Sequence, residues 1–137
     1  MSIGIVLATY KEELNIKELL ASIKQNLTDV KIIIIDDSPE SLIRKLTTDF
    51  KNVIYFFRGK KLGRGTAVLK GIKELLKYNG IEVIIEIDTD LSHDPNEIPD
   101  NLEKFKNEKL DLLISSRYLK DSKILNWSIN RKIFSIL

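Results

Sequence analysis

Ile84-Ile85-Glu86-Ile87-Asp88-Thr89-Asp90-Leu91-Ser92-His93-Asp94-Pro95 carries a short apolar run directly into two carboxylates and then into a helix start. An apolar run bounded by polar residues reads as a buried strand. Asp94-Pro95, with Glu97 three residues after Asp94, reads as a capped helix N-terminus. The two acids therefore fall in the loop beyond the carboxyl end of a strand. Alternate residues of an extended chain share one side, roughly 6 to 7 Å apart at about 3.3 Å per residue. Asp88 and Asp90 can thus converge on one hard cation, and a divalent metal holding a diphosphate suits them.

The same strand-then-helix rhythm extends in both directions. Residues 3–8 form a compact apolar run, and Leu14, Ile16, Leu19, Leu20, Ile23 and Leu27 then recur at helical spacing. Ile32-Ile33-Ile34-Ile35 reads as a second strand ending in Asp36-Asp37, and Ser38-Pro39 as the start of a helix with Leu42, Ile43, Leu46 and Phe50 on its core face. Residues 53–57 read as a third strand. A basic, glycine-rich loop follows it, Arg58-Gly59-Lys60-Lys61-Leu62-Gly63-Arg64-Gly65, and feeds a helix with Val68, Ile72, Leu75 and Leu76 on one face. Residues 83–87 are the fourth strand. A helix over about 95–106 carries Ile98, Leu102 and Phe105, and 110–114 read as a fifth strand before Ser115-Ser116-Arg117-Tyr118. Strands apolar on both faces, alternating with amphipathic helices, predict an α/β fold whose mostly parallel sheet is covered on both sides. Ligands of such sheets bind beyond the carboxyl ends of the strands. The acidic and basic residues fall there.

The bulk properties narrow the class. A chain of 137 residues, 43% hydrophobic and 31% charged, is expected to be one soluble globular domain, 1–137, without internal repeats or linkers. A net charge of +2 gives no argument for nucleic acid as a partner. The absence of cysteine excludes disulfides and thiolate metal sites. No signal peptide is visible, and no apolar run approaches the roughly 18 residues of a membrane span, so the expected place is cytoplasmic.

Each polar cluster has a plain reading beside a functional one. Thr9 and Glu12 have the spacing of a capping box, and they equally sit where a ligand would bind. Asp36-Asp37 either cap the next helix or accept hydrogen bonds from a nucleotide's base or ribose. The 58–65 loop is either a solvated charged turn or an anion cradle beside a helix N-terminus. It lacks the third glycine of a dinucleotide fingerprint and the ending of a P-loop. Arg117 offers a fork of donors suited to phosphate. His93, the only histidine, reads as a helix-start residue supporting the site rather than as a metal ligand. The stretch 124–137, with Trp127 and Arg131-Lys132, reads as a helix whose apolar face expects further protein, or as a segment on a membrane surface.

In order, Thr9-Tyr10-x-Glu12-x-x-Asn15, Ile35-Asp36-Asp37, Arg58-x-x-Lys61-x-Gly63-x-Gly65-x-Ala67, Asp88-Thr89-Asp90-Leu91-Ser92-His93-Asp94-Pro95, Ser116-Arg117-Tyr118 and Trp127-x-x-x-Arg131-Lys132 resemble the family-2 glycosyltransferases of the GT-A fold. Within these the likeness is to the polyprenyl (dolichyl) phosphate mannose synthases, and it extends over almost the whole chain. The resemblance implies a Rossmann-like three-layer sandwich that is short at its C-terminal side. It implies a nucleotide diphosphate sugar donor, GDP-mannose, and a polyprenyl phosphate acceptor at the cytoplasmic membrane face. Carried over residue by residue, Tyr10, Glu12, Ile35, Asp37, Arg58, Lys61, Asp88, Thr89 and Arg117 would bind the nucleotide sugar. Asp88, Asp90 and Ser92 would surround a Mg2+ or Mn2+ ion, and Asp90 and Arg117 would serve the transfer itself. A partner chain would supply what the donor half lacks.

The sequence departs from the family pattern at Ala8, where the usual residue is proline, at Lys11, where it is asparagine, and after Asp37, where the loop is one residue short. The alternative within this resemblance is a nucleotide-sugar-binding module without transfer activity of its own. A third reading takes Asp88-x-Asp90 as the nucleophile motif of a haloacid-dehalogenase-like phosphatase. That motif normally follows an early strand and needs a later lysine and acidic pair, for which too little chain follows Asp90.

Overall fold

The computed structural model describes residues 1–116, and it divides into two compact units, Met1–Pro99 and Asp100–Leu137. The first unit is built on four parallel strands, β1 (Ser2–Thr9), β2 (Val30–Asp36), β3 (Val53–Phe57) and β4 (Ile81–Asp88), in the order β3-β2-β1-β4. Helices α1 (Ile16–Asn26), α2 (Leu42–Thr47) and α3 (Arg64–Leu75) make the connections. The chain steps outward from β1 to β3 and then returns to lay β4 on the other side of β1. That reversal opens a crevice at the carboxyl ends of β1 and β4.

Strand periodicity sorts the core. Ile5, Leu7, Ile32 and Ile34 are sealed on one face, while Val6, Ile33 and Ile35 on the other pack with Ala67 and Leu75 of α3. Right-handed crossovers put α1 and α2 on the face opposite α3. Ile16, Leu19, Leu20 and Ile23 of α1 are fully buried, as their spacing predicted. Leu14 is not part of that face. It lies in the turn before the helix, 94% exposed.

Three local expectations are corrected. Thr9 is no helix cap, because it is the last residue of β1; the N-cap of α1 is Asn15, whose Nδ2 donates to Glu12 Oε2 at 2.7 Å. Ser38 does not begin α2 either. Its N–H donates to Asp36 Oδ1 and its hydroxyl accepts from the Lys11 N–H, at 2.9 and 2.8 Å, so the helix starts only after Ser41 and buries Ile43 while Leu42 stays exposed. In α3 the buried residues are Ala67, Gly71 and Leu75; Val68 and Ile72 are half-buried and Leu76 is exposed. The helix is rotated from the phase its large side chains suggested because Gly71 lies against Val6, where a Cβ would come within 2.4 Å of Val6 Cγ1.

Lys11 adopts a left-handed backbone, φ 59°, in the turn after β1. Asparagine tolerates that region better than lysine, whose Cβ crowds the following carbonyl. Lys11→Asn is therefore expected to raise stability by about 0.5–1 kcal/mol, read as a higher midpoint in thermal unfolding. A lower midpoint would show that the lysine side chain compensates for the turn.

After a 3-10 turn, Pro95–Glu97, capped by Asp94 accepting from the Asn96 N–H, helix α4 runs Ile98–Asn107 and crosses the boundary between the units. In the second unit Lys109, φ 51°, ends α4: its N–H donates to Lys106 O and the Leu110 N–H to Phe105 O. This is a Schellman cap. The expected strand over 110–114 is absent. Leu110 is used in the helix cap, no described strand pairs with these residues, and Leu112 and Ile114 are 72% and 76% exposed. Arg117, Tyr118 and the 124–137 stretch lie outside the described residues.

Candidate functional site

A cleft of about 350 Å³ lies at the carboxyl ends of β1 and β4, within the first unit. Its walls are Ala8 to Tyr10 and Glu12 from the β1 turn, Asp37, Lys61, Gly63, Arg64 and Ala67 from the basic loop and α3, and Asp88, Thr89 and Asp90. Residues from four separated stretches of sequence meet there. The strand order brings them together.

Asp36 and Asp37 divide into two different tasks. Asp36 is buried and structural, with Oδ2 accepting from the Tyr55 hydroxyl at 2.6 Å. Burial together with this bond pushes the Tyr55 phenol well above its ordinary range. Asp37 organises the basic loop. Its carboxylate takes both forks of Arg58, Nε on Oδ1 and Nη2 on Oδ2 at 2.7 Å, and Oδ2 also accepts the N–H groups of Leu62 and Gly63 at 2.8 and 3.1 Å. Burial raises the Asp37 pKa, but these donors outweigh it and hold the carboxyl below the ordinary 3.8. Gly63 has φ 95° and forms the N-cap of α3, a backbone shape that suits glycine.

This arrangement separates the loop's cations. Arg58, expected as a donor-binding residue, is turned onto Asp37 with its side chain only 9% exposed and does not line the cleft. Lys61 does line it, its Nζ 4.8 Å from the centroid of the Tyr10 ring. Arg64 also reaches in. Its Nε donates to Asp88 Oδ1 at 2.8 Å, Nη2 lies 2.7 Å from the same oxygen in an ion pair, and Nη2 donates to Glu86 Oε1. Burial would lower the Arg64 guanidinium, yet Asp88 and Glu86 together raise it. Glu86 escaped the sequence reading, although its place two residues before Asp88 on a strand already put both on one side.

The acidic turn is folded on itself. Thr89 Oγ1 donates to Ala8 O at 3.3 Å, and the Asp88 N–H donates to His93 Nδ1 at 3.2 Å. Leu91 is left-handed, φ 60°, and the Ser92 N–H donates to Asp90 Oδ1 at 2.9 Å. Burial raises the Asp90 pKa, but hydrogen bonds from Ser92 and the nearby His93 bring it below its ordinary value. Asp90 therefore remains a carboxylate. Ile35 is fully buried within the sheet, and the Thr9 hydroxyl is buried without a hydrogen-bond partner among the described residues.

Whether this set suits a metal follows from its donors. No group of three or more His, Cys, Asp or Glu residues is gathered into a cage among the described residues. Two carboxylates facing a cleft with Lys61 and Arg64 match instead the sites in which a small hard cation takes one or two acids from the protein and the remaining oxygens from a phosphate and water. Asp88 and Asp90 fit that role.

Residues 4–136 match the pattern of Glycosyl transferase family 2. The chain belongs to this family. It is 34% identical to the dolichol-phosphate mannosyltransferase of Pyrococcus furiosus, over 98% of this chain and 38% of that protein. It is 31% identical to the polyprenol monophosphomannose synthase of Mycolicibacterium smegmatis, over 96% of this chain and 51% of the relative. For the undecaprenyl-phosphate mannosyltransferase of Micrococcus luteus the identity is 29%, over 98% and 56%. The chain thus spans between 38% and 56% of the length of these relatives. Its fold is GT-A. It is shared with S. aureus TarS, at a TM-score of 0.65 and 18% identity over 89% of this chain and 24% of that one. A 4-diphosphocytidyl-2C-methyl-D-erythritol synthase gives 0.61 at 13% identity over 90% and 66%. Among the described residues no helix is long and apolar enough to cross a membrane.

Proposed function

We propose that this family-2 domain binds a nucleotide diphosphate sugar, GDP-mannose, as the donor part of a metal-dependent inverting glycosyltransferase whose acceptor is a polyprenyl phosphate at the cytoplasmic membrane face. The observation that carries this reading is the pairing, in one cleft, of two carboxylates from the end of β4 with Lys61 and Arg64 from the loop before and the start of α3. The names of the relatives support mannosyl transfer to a lipid phosphate.

Asp88 and Asp90 would hold Mg2+ or Mn2+, which when bound supplies positive charge to the departing diphosphate. Lys61 adds a cation to the same cleft. Tyr10 is exposed, with Lys61 and Lys11 Nζ 4.8 and 5.4 Å from its ring centroid, and offers an aromatic ring beside these cations to a base or sugar. Asp37 fixes the backbone of Leu62 and Gly63, so the loop meets the diphosphate already ordered and loses little freedom on binding. A phosphate acceptor has a second pKa of about 6 and is anionic near pH 7, so its attack needs no strong general base. One displacement then inverts the anomeric centre.

Calorimetric titration with GDP-mannose and UDP-glucose, each with and without Mn2+, tests the reading. Mn2+ is expected to tighten GDP-mannose binding at least tenfold, about 1.4 kcal/mol, and Asp90→Ala to remove that increment. Binding of equal strength with and without metal, unchanged by Asp90→Ala, would sink the assignment.

A further inference from the structure

We infer that Arg64 is an internal counter-ion for Asp88, the proposed metal-binding carboxylate at the end of β4, which it neutralises in the absence of ligand and leaves when an anionic diphosphate arrives. The inference rests on the proposed metal and diphosphate reading of the cleft. It concerns the coupling between the two ligands, which that reading leaves unassigned.

Two facts make Arg64 more than a surface pair. The first is its target: both Nε and Nη2 converge on Asp88 Oδ1, and Nη2 is shared with Glu86, so one guanidinium serves two acids on the same side of β4. With Asp88 Oδ1 occupied in this way, a cation approaching Asp88 competes directly with Arg64. The other oxygen, Oδ2, lies 3.7 Å from His93 Nε2. The second fact is mobility of attachment. Arg64 is the first residue of α3, its side chain is 54% exposed, and its backbone is set by the turn at Gly63 rather than by the ion pair. Releasing the guanidinium therefore disturbs no buried packing. Arg58 contrasts with it: that side chain is buried against Asp37 and cannot move without disturbing the loop.

The chemistry then couples two ligands. A divalent cation alone must displace Arg64 and leave a positive charge beside itself, which weakens its binding. A diphosphate alone gains Arg64 as a partner and draws it from Asp88. Each ligand removes an obstacle to the other, and the linkage is reciprocal. Glu86 retains the freed guanidinium near the cleft, because Asp88 and Glu86 share one side of the strand.

The experiment uses Arg64→Gln and Arg64→Ala beside the native chain and Asp88→Asn. Mn2+ binding without nucleotide is read from the free-ion signal in electron paramagnetic resonance. Binding of inorganic diphosphate without metal is read by calorimetry. Half-exposed ion pairs of this kind are weak, so both Arg64 variants are expected to bind Mn2+ about fivefold more tightly and metal-free diphosphate about fivefold more weakly than the native chain. Opposite shifts in one protein do not arise from a purely structural pair between α3 and β4. Mn2+ affinity unchanged or weakened in both variants, while Asp88→Asn abolishes it, would overturn the role of Arg64 and leave the metal site standing. Absence of Mn2+ binding in every form would remove the metal site and this inference together.

Discussion

Asp37→Ala is expected to lower stability by about 3–5 kcal/mol in urea unfolding at pH 7. The side chains of Asp37 and Arg58 are only 5% and 9% exposed, and the pair is bidentate. Truncating the acid leaves a buried guanidinium uncompensated and deprives the N–H groups of Leu62 and Gly63 of their acceptor. Arg58→Ala added to Asp37→Ala should recover part of the loss, because the unpaired charge goes with it. The pH dependence has a defined sign. Burial opposes ionisation of Asp37, but Arg58 and the loop amides prevail, so its folded pKa lies below the ordinary 3.8. A depressed carboxyl pKa contributes stability that is present above the unfolded value and is lost as pH falls through the folded one. The native chain should therefore lose this contribution below about pH 4, and Asp37→Ala should show a flatter acid limb. A loss under about 1 kcal/mol, with an unchanged acid limb, would mean that water replaces the clamp at little cost.

The other large effect belongs to the contact between α3 and β1. Gly71→Val is expected to destabilise by about 3 kcal/mol, the upper part of the range for overpacked cores. The added Cβ would lie 2.4 Å from Val6 Cγ1 and 3.3 Å from Val6 Cβ, and Val6 is fully buried in a central strand. Glycine within a helix is itself unfavourable by about 1 kcal/mol relative to alanine, so this position retains it against local propensity. Val6→Ala provides the control. Combined with Gly71→Ala it should be less damaging than the two changes added together, by about 1 kcal/mol, because one opens the space the other fills. Additive losses would show that α3 does not rest on Val6.

The sheet was legible because its strands are continuous apolar runs. Ile32 to Ile35 can hardly be anything but a strand buried on both faces, and Asp90 lies beyond the end of such a run as its place in the sequence suggests, although Asp88, read as part of the loop, is the last residue of β4. The helix faces were less legible. Periodicity follows large side chains, whereas α3 is seated by Gly71, whose importance is the absence of a side chain. Capping patterns misled for a related reason. Thr9 and Ser38 have the right local spacing, but β1 continues through Thr9 and Ser38 is engaged with Lys11 across the sheet end. The assignment of loop cations was not legible at all. Arg58, Lys61 and Arg64 look equivalent in sequence, and only the position of Asp37 and of Asp88 decides that the first is buried, the second faces Tyr10 and the third sits on an acid. At 110–114 the apolar composition promised a strand, yet a strand exists only where another lies beside it.

The pairing of β1 with β4 also constrains how the protein is made. β1 emerges before both of its neighbours during synthesis, and the one running from Ile81 comes roughly eighty residues later. Until then an edge rich in isoleucine, valine and leucine stands open, and parallel pairing across so long a separation is slow to form. Such an edge is available to the wrong strands of other chains. The strand that closes it is the one that delivers Asp88 to the cleft, so a nascent chain acquires its acidic site and its protection from aggregation in the same step.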